Sequence, residues 1–391
     1  MEKRNVYLDN NAATRTDERV VEHMNHYHLN DYAVASSQFS HTPGIKAKDG
    51  IEKARQIIAE KISALNNEIV FTSGSAESNN LALKGTTLAN RTAKRNRIIV
   101  SKIEHFSVLD SAKRLGKQGY DVEFVDVDGE GFIDIDHLKN LVNDETLLVS
   151  IIHGNHEIGT VQDLHAISEI VHRKGAYFHT DATYSFLQIP VDVKKYGIDL
   201  MTVSSDKIHG PKGVGALYVS EDVTIEKITD GGFQEFNLRG GTENVSGIAG
   251  FGKACEIFSE EDVERIKYLR NDLYEQFKSG LKGVQLNGSS DFSRRIPNNL
   301  NLSFDYIEGE SVVLHLDMRG ISVITGSACF SRALQASHIL LAMGFSHERA
   351  HGSIRFSPSK YTLKEDIDYT VHHVKEVVTK LRKLSPLVEQ Q

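Results

Sequence analysis

Cysteine is scarce: only Cys255 and Cys329 occur in 391 residues. That argues against a secreted fold stapled by several disulfides and leaves at least one thiol expected to be free for chemistry. Long apolar runs are missing too. Nothing approaches the ~18 apolar residues of a membrane helix, and the start MEKRNVYLDNNAAT lacks the hydrophobic stretch of a signal peptide. The chain as given is therefore expected in the cytoplasm, with no membrane partner. Nor is positive charge in excess, since 45 Lys and Arg stand against 53 Asp and Glu for a net charge of −8. No global attraction to nucleic acid follows, so small molecules or proteins are the expected partners. Repeats, low-complexity tracts and long charge blocks are also absent, and organisation must be read from hydrophobic periodicity.

What is present is a 40% hydrophobic chain, long enough for two domains. Ile51, Ala54, Ile57, Ile58, Ile62 and Leu65 mark one helix face. Short apolar runs follow at EIVFTSG, RIIVSK, YDVEFVDVD, LLVSIIHGN, AYFHTDAT, DLMTVSS and GALYVS, most separated by helical patterns such as FSVLDSAKRLGKQG and DLHAISEIVHRKG. Strand and helix alternating this often predict an α/β fold whose mainly parallel sheet is covered on both faces. Ligands of such sheets sit beyond the carboxyl ends of the strands. After about residue 258 the pattern changes to a long charged helix, the strand NNLNLSF, the helix EGESVVLHLDMRG, the strand ISVIT and a helix over 364–384. This reads as a smaller α+β domain, giving a large domain over 15–258 and a small one built from 1–14 and 259–391.

Three strand ends carry candidate chemistry. FTSGSAESNN places Ser73, Gly74, Ser75 and Ala76 where a helix begins, a setting that suits a phosphate as well as an ordinary cap. Asp181 ends HTD, where a carboxylate either caps a helix or holds a protonated ring nitrogen. Lys207, in SSDKIHGPKG, is either a solvated charge or an amine able to form a Schiff base. Cys329 lies in the polar, small-residue stretch TGSACFS and is the candidate thiolate, whereas Cys255 sits among apolar helical neighbours and reads as a core thiol. His23, His26 and His28 do not share one helix face, so no metal site is expected there. GPKGVG lacks the spacing of a nucleotide phosphate loop.

Taken in order, YLDNNAAT, FTSGSAESNN, IEHFSVLD, GNHEIGTVQD, HTDATYS, SSDKIHGPKGVGALYV, RGGTENV, GSACFS and HGSIRFS resemble the pyridoxal-phosphate cysteine desulfurases of the NifS/IscS type, in the class V aminotransferase family. The resemblance runs nearly end to end. It implies fold type I of the pyridoxal-phosphate transferases, with a seven-stranded sheet in the large domain. It implies that Lys207 binds pyridoxal 5'-phosphate and moves the substrate α-proton, that Asp181 pairs with the pyridine nitrogen, and that His105 stacks on the ring and serves as an acid. Ser75, Ala76, Ser204 and Tyr184 fall at cofactor-binding positions, Asn155 near the cofactor oxygen and substrate carboxylate, and Arg355 at the carboxylate clamp. Thr242 matches a threonine that reaches the neighbouring subunit's phosphate, which implies a homodimer. Cys329 matches the nucleophile that takes sulfur from L-cysteine as a persulfide, releasing L-alanine, and passes it to an iron–sulfur scaffold or a thiolation enzyme.

The departures from that pattern gather around the cofactor. Asp206 stands where the family usually has a phosphate-binding histidine, Ala76 where it has a threonine, and Tyr184 where it has a glutamine. His156 replaces a second asparagine, and VASSQFSH lacks the usual Gly-Asn-Pro run. A carboxylate beside a phosphate repels it unless it turns away or pairs with a cation, so weakened cofactor affinity is expected. The departures leave open a divergent lyase or transaminase of the same fold, or a degenerate member acting as a binding partner in sulfur assembly.

Overall fold

The computed structural model describes residues 4–92, 94–326 and 336–385. After a short first strand β1 (Val6–Tyr7), seven strands form the main sheet: β2 (Ile69–Thr72), β3 (Arg97–Ser101), β4 (Asp121–Val125), β5 (Thr146–Ser150), β6 (Tyr177–Asp181), β7 (Leu200–Ser204) and β8 (Gly215–Val219). Their order is β2-β8-β7-β6-β5-β3-β4, and only β8 runs against its neighbours. All seven expected strands are present: inner ones such as β3, RIIVS, and β5, TLLVS, are apolar runs buried on both faces, whereas the edge strand β4, DVEFV, alternates acidic and apolar residues and is mostly half-buried. Alternate side chains of one strand enter different cores. Ile99 and Val149 join Ile51, Ile58, Phe178 and Phe251 on one face, while Ile98, Val100 and Leu148 join Leu83, Val108 and Leu115 on the other.

The helix Thr42–Lys61 buries Ile51, Ala54 and Ile58 as the periodicity requires. It packs against the helix Val245–Ile257, where a Cβ on Gly252 would lie 2.7 Å from that of Ala54, so only glycine permits the approach. Leu65 departs from the expectation. The helix ends before it, and its side chain is 51% exposed.

A second set of strands, β9 (Val284–Asn287), β10 (Leu300–Phe304) and β12 (Ser353–Phe356), forms an antiparallel sheet in the order β12-β10-β9. β11 (Ile321–Ser322), shorter than the ISVIT run suggested, pairs in parallel with β1. The helices Glu260–Gly280 and Lys364–Leu384 cover this sheet. Their shared core holds Leu273, Phe277, Leu302, Phe356 and Val374 together with Val6 and Leu8 from the start of the chain. Buried Arg295 couples the two sheets, donating to the carbonyls of Ile158, Asn287 and Ser289 at 2.6, 2.7 and 2.9 Å. The carboxyl ends of β5, β6 and β7 thereby face β12 across one cleft.

Candidate active site

β7 ends at Ser204 and the chain turns through Ser205–Lys207, which puts Lys207 in the wall of a cavity. Its Nζ donates to the Ala12 carbonyl at 2.7 Å and to Asp206 Oδ2 at 2.8 Å, and lies 5.3 Å from the centre of the Tyr184 ring. Asp206 Oδ1 accepts from the Ser204 hydroxyl at 2.5 Å. The unexpected acid of the SSDK stretch thus pairs with the lysine next to it, the cation partner that its position demanded.

One strand over, Asp181 is 1% exposed at the end of β6. It accepts from Asn79 Nδ2 at 2.8 Å and from the Thr183 amide at 2.9 Å, and it makes no ion pair among the described residues. A buried carboxylate served only by neutral donors is costly, and a protonated ring nitrogen would supply the missing cation. His105 caps the helix Phe106–Gly116: its Nδ1 accepts the Ser107 amide, so a neutral ring carries its proton on Nε2. Burial holds this imidazole below its ordinary value, against the pull of Asp181. Asn79 ties the two groups together by donating also to Ser107 Oγ, which lies 2.9 Å from His105 Nδ1.

His156 fills the space between these groups. Its ring stacks on Tyr184 at 5.3 Å and meets His105 edge-on at 5.3 Å, and burial pushes it well below the ordinary histidine range. From the second sheet comes Arg355, on β12, whose Nη1 donates to the His156 carbonyl at 3.1 Å and whose Nη2 pairs with Asp9 at 2.8 Å. A cavity of about 510 Å³ is lined by Ser75, His105, His156, Tyr184, Lys207 and Arg355, among others. Burial raises two acids near it. Glu157 is pushed up to about 7 and Glu104, the residue before His105, to about 8.

The ring end of this site fits the pyridoxal phosphate implied above. At the phosphate end, Gly74 has φ +144° and open space where a Cβ would stand, just before the helix Ser75–Asn80. Ser75 lines the cavity, and the amides of Ser75 and Ala76 occupy helix-start positions with no intrahelical acceptor. Ala76 itself is exposed and adds no hydroxyl, and that of Ser204 is taken by Asp206.

Other expected site residues are placed differently. Asn155 is fully buried and braces its own loop, accepting from the amides of Glu157 and Ile158 and donating to the Ile103 carbonyl. Thr242 is exposed and away from the cavity. Cys329 lies outside the described residues. Cys255 is completely buried, and burial pushes its thiol up. Sequence reasoning missed Asn79, Asp9 and Glu104. The signal for Asn79 was available: it follows Ser75 by one helical turn and so faces the same way.

A lysine at one strand end, a buried acid at the next and an arginine from a second sheet define a two-domain α/β protein of the pyridoxal-phosphate type. The chain belongs to the aminotransferase class-V family, whose model matches residues 6–370. It is 44% identical over 391 residues to the cysteine desulfurase IscS of Dictyoglomus turgidum, covering 99% of this chain and 98% of that one. Among solved structures, a NifS-like protein matches with 35% identity and a TM-score of 0.88, covering 96% of this chain and all of the other. SspA in complex with cysteine matches at 32% identity and a TM-score of 0.81, over 92% of this chain and 100% of that one.

Proposed function

We propose that the protein is a pyridoxal-phosphate-dependent cysteine desulfurase that converts L-cysteine to L-alanine and hands the sulfur, through a persulfide on Cys329, to an acceptor such as an iron–sulfur scaffold or a thiolation protein. The observation that carries this reading is the convergence of Lys207, His105 and Arg355 on one cavity, with buried Asp181 tied to His105 through Asn79 and Ser107, in a chain similar over its full length to an IscS-type desulfurase. Bound pyridoxal phosphate supplies an electron sink for the pair left at the substrate α-carbon. Lys207 Nζ would hold the cofactor and, once free, would take the substrate α-proton. Asp181 would keep the ring nitrogen protonated, and His105, whose Nδ1 accepts the Ser107 amide, would have Nε2 available as a proton donor. Arg355 binds the substrate carboxylate. The Cys329 thiolate attacks the substrate sulfur: an S–S bond forms as Cβ–S breaks, and the released pair is protonated to give alanine. Atoms balance as L-cysteine plus thiol giving L-alanine plus persulfide.

The working form in this reading is a cytoplasmic homodimer of two-domain subunits divided at 15–258 and at 1–14 with 259–391. Support for the dimer comes from a surface carrying Phe39, Phe233 and Phe236, which are 91, 86 and 52% exposed. A second copy would cover these rings and bring Thr242 to the partner's site. Among the described residues no helix is long and apolar enough to cross a membrane.

The reading is tested by loading the protein with pyridoxal phosphate, reducing with borohydride and mapping peptides by mass. A cofactor-sized increase on the peptide containing Lys207, absent in Lys207→Ala, is expected. Labelling spread over surface lysines would overturn the assignment.

A further inference from the structure

Arg355 reaches the cavity because β12 alternates: Ile354 and Phe356 enter the core of the second sheet, both with 0% exposure, and the residue between them must point the other way. Its backbone is fixed on both sides, opposite Asn301 of β10 and through a hydrogen bond from its N–H to the Ile324 carbonyl at 2.8 Å. The guanidinium has no such lattice. It has two described partners, Asp9 Oδ1 on Nη2 and the His156 carbonyl on Nη1, while its Nε is buried without an acceptor.

Asp9 is itself held close to this strand. Its segment pairs with the residues just past β12, the Ser357 amide donating to the Leu8 carbonyl at 2.7 Å and the Asn10 amide to the Ser357 carbonyl at 3.3 Å. Among the described residues, Arg355 is the one donor to the Asp9 carboxylate. The two side chains are only 9 and 15% exposed, so solvent screens the pair weakly. Asn11, two residues further, donates to the same His156 carbonyl at 3.1 Å. One short segment therefore holds the arginine at one end and, at the other, the carbonyl that the arginine uses.

We infer that Asp9 is a positioning residue for the substrate carboxylate: it fixes the plane of the Arg355 guanidinium, leaving the second N–H of each Nη to receive the substrate. The inference rests on the reading that Arg355 binds that carboxylate. A guanidinium carries five N–H groups in a rigid fork, so fixing one Nη on each side sets the direction of the rest. Because Asp9 also cancels the charge of Arg355, the seat works by directed hydrogen bonds more than by net attraction. Ligands without a carboxylate gain nothing from it.

The test uses the full-length protein loaded with pyridoxal phosphate. In Asp9→Ala the guanidinium loses its anchor, and KM for L-cysteine is expected to rise about tenfold or more, with kcat nearly unchanged, since the chemistry is at Lys207. Asp9→Asn keeps an oxygen acceptor for Nη2 and is expected to recover most of that loss. Binding of L-alanine, followed by the cofactor's visible spectrum, should weaken in Asp9→Ala, while binding of cysteamine, which lacks the carboxylate, should not. Equal weakening of both ligands, or an Asp9→Asn variant as impaired as Asp9→Ala, overturns the inference. Arg355→Ala separates the two levels. If it leaves KM unchanged, the carboxylate reading of Arg355 fails; if it raises KM while Asp9→Ala does not, only the role of Asp9 fails.

Discussion

Asp206→Asn removes a charge beside Lys207 while keeping one of the two side-chain oxygens, which in the wild type accept separately from the Ser204 hydroxyl and from the lysine. In the structure the Lys207 and Asp206 side chains are 10 and 19% exposed and 2.8 Å apart, so their contact is a charge-assisted hydrogen bond largely sheltered from water. Bonds of that kind contribute about 1.5–3 kcal/mol. Lys207 must give up this bond to anchor a cofactor, and a phosphate bound near Ser204 would meet the carboxylate that is left behind. Removing the charge should therefore tighten pyridoxal-phosphate binding by about 10- to 100-fold, the factor that corresponds to such an energy. The assay is titration of cofactor-free protein with pyridoxal phosphate, followed by its visible absorbance. Asp206→His, which restores a phosphate donor, should tighten binding as well. Unchanged or weaker binding in Asp206→Asn would refute the argument, because it would mean that the Lys207 contact does not oppose loading.

Two further outcomes concern stability. Glu104 is pushed up to about 8 by burial, so the folded state holds a proton that the unfolded chain releases near its ordinary value of about 4.3. Stability should then fall as pH rises from about 4.3 to about 8, and Glu104→Gln should flatten that slope in denaturant unfolding measured at several pH values. Asp17 lies in the opposite regime: the Arg19 guanidinium, with Lys360 and Tyr361, holds its carboxyl far below the usual range. Its contribution is present above about pH 3.9 and is lost as pH falls below it. Asp17→Asn strands Lys360, whose side chain is 6% exposed, and should lower the unfolding free energy by about 3–5 kcal/mol, read from denaturant midpoints.

Most of the main sheet was legible because strands such as β3, RIIVS, and β5, TLLVS, are short apolar runs, and Asp181 and Lys207 were legible because one ends β6 and the other lies in the turn just past β7. β9 and β12, reading VQLN and SIRF, are too short and too polar to announce themselves. Contacts that join distant parts of the chain were the least accessible. Asp9 and Arg355 lie 346 residues apart, and nothing in either local pattern says that they meet. Asp206 shows the intermediate case. The sequence located an acid at the wrong-charge position, but only the structure gives it the neighbouring lysine as its partner. Asn155 carried a family expectation of contact with the ligand, and its described bonds are all to its own surroundings.

The most direct test of the central claim is the alanine formed from L-cysteine by the cofactor-loaded protein, measured together with the mass of the protein after one turnover. Wild type is expected to yield one alanine per site and to gain one sulfur on the peptide containing Cys329. Cys329→Ala should keep the cofactor's visible band and lose the sulfur transfer, and Lys207→Ala should form no alanine. Alanine formation at the wild-type rate in Lys207→Ala, or sulfur release unaffected in Cys329→Ala, would contradict the account.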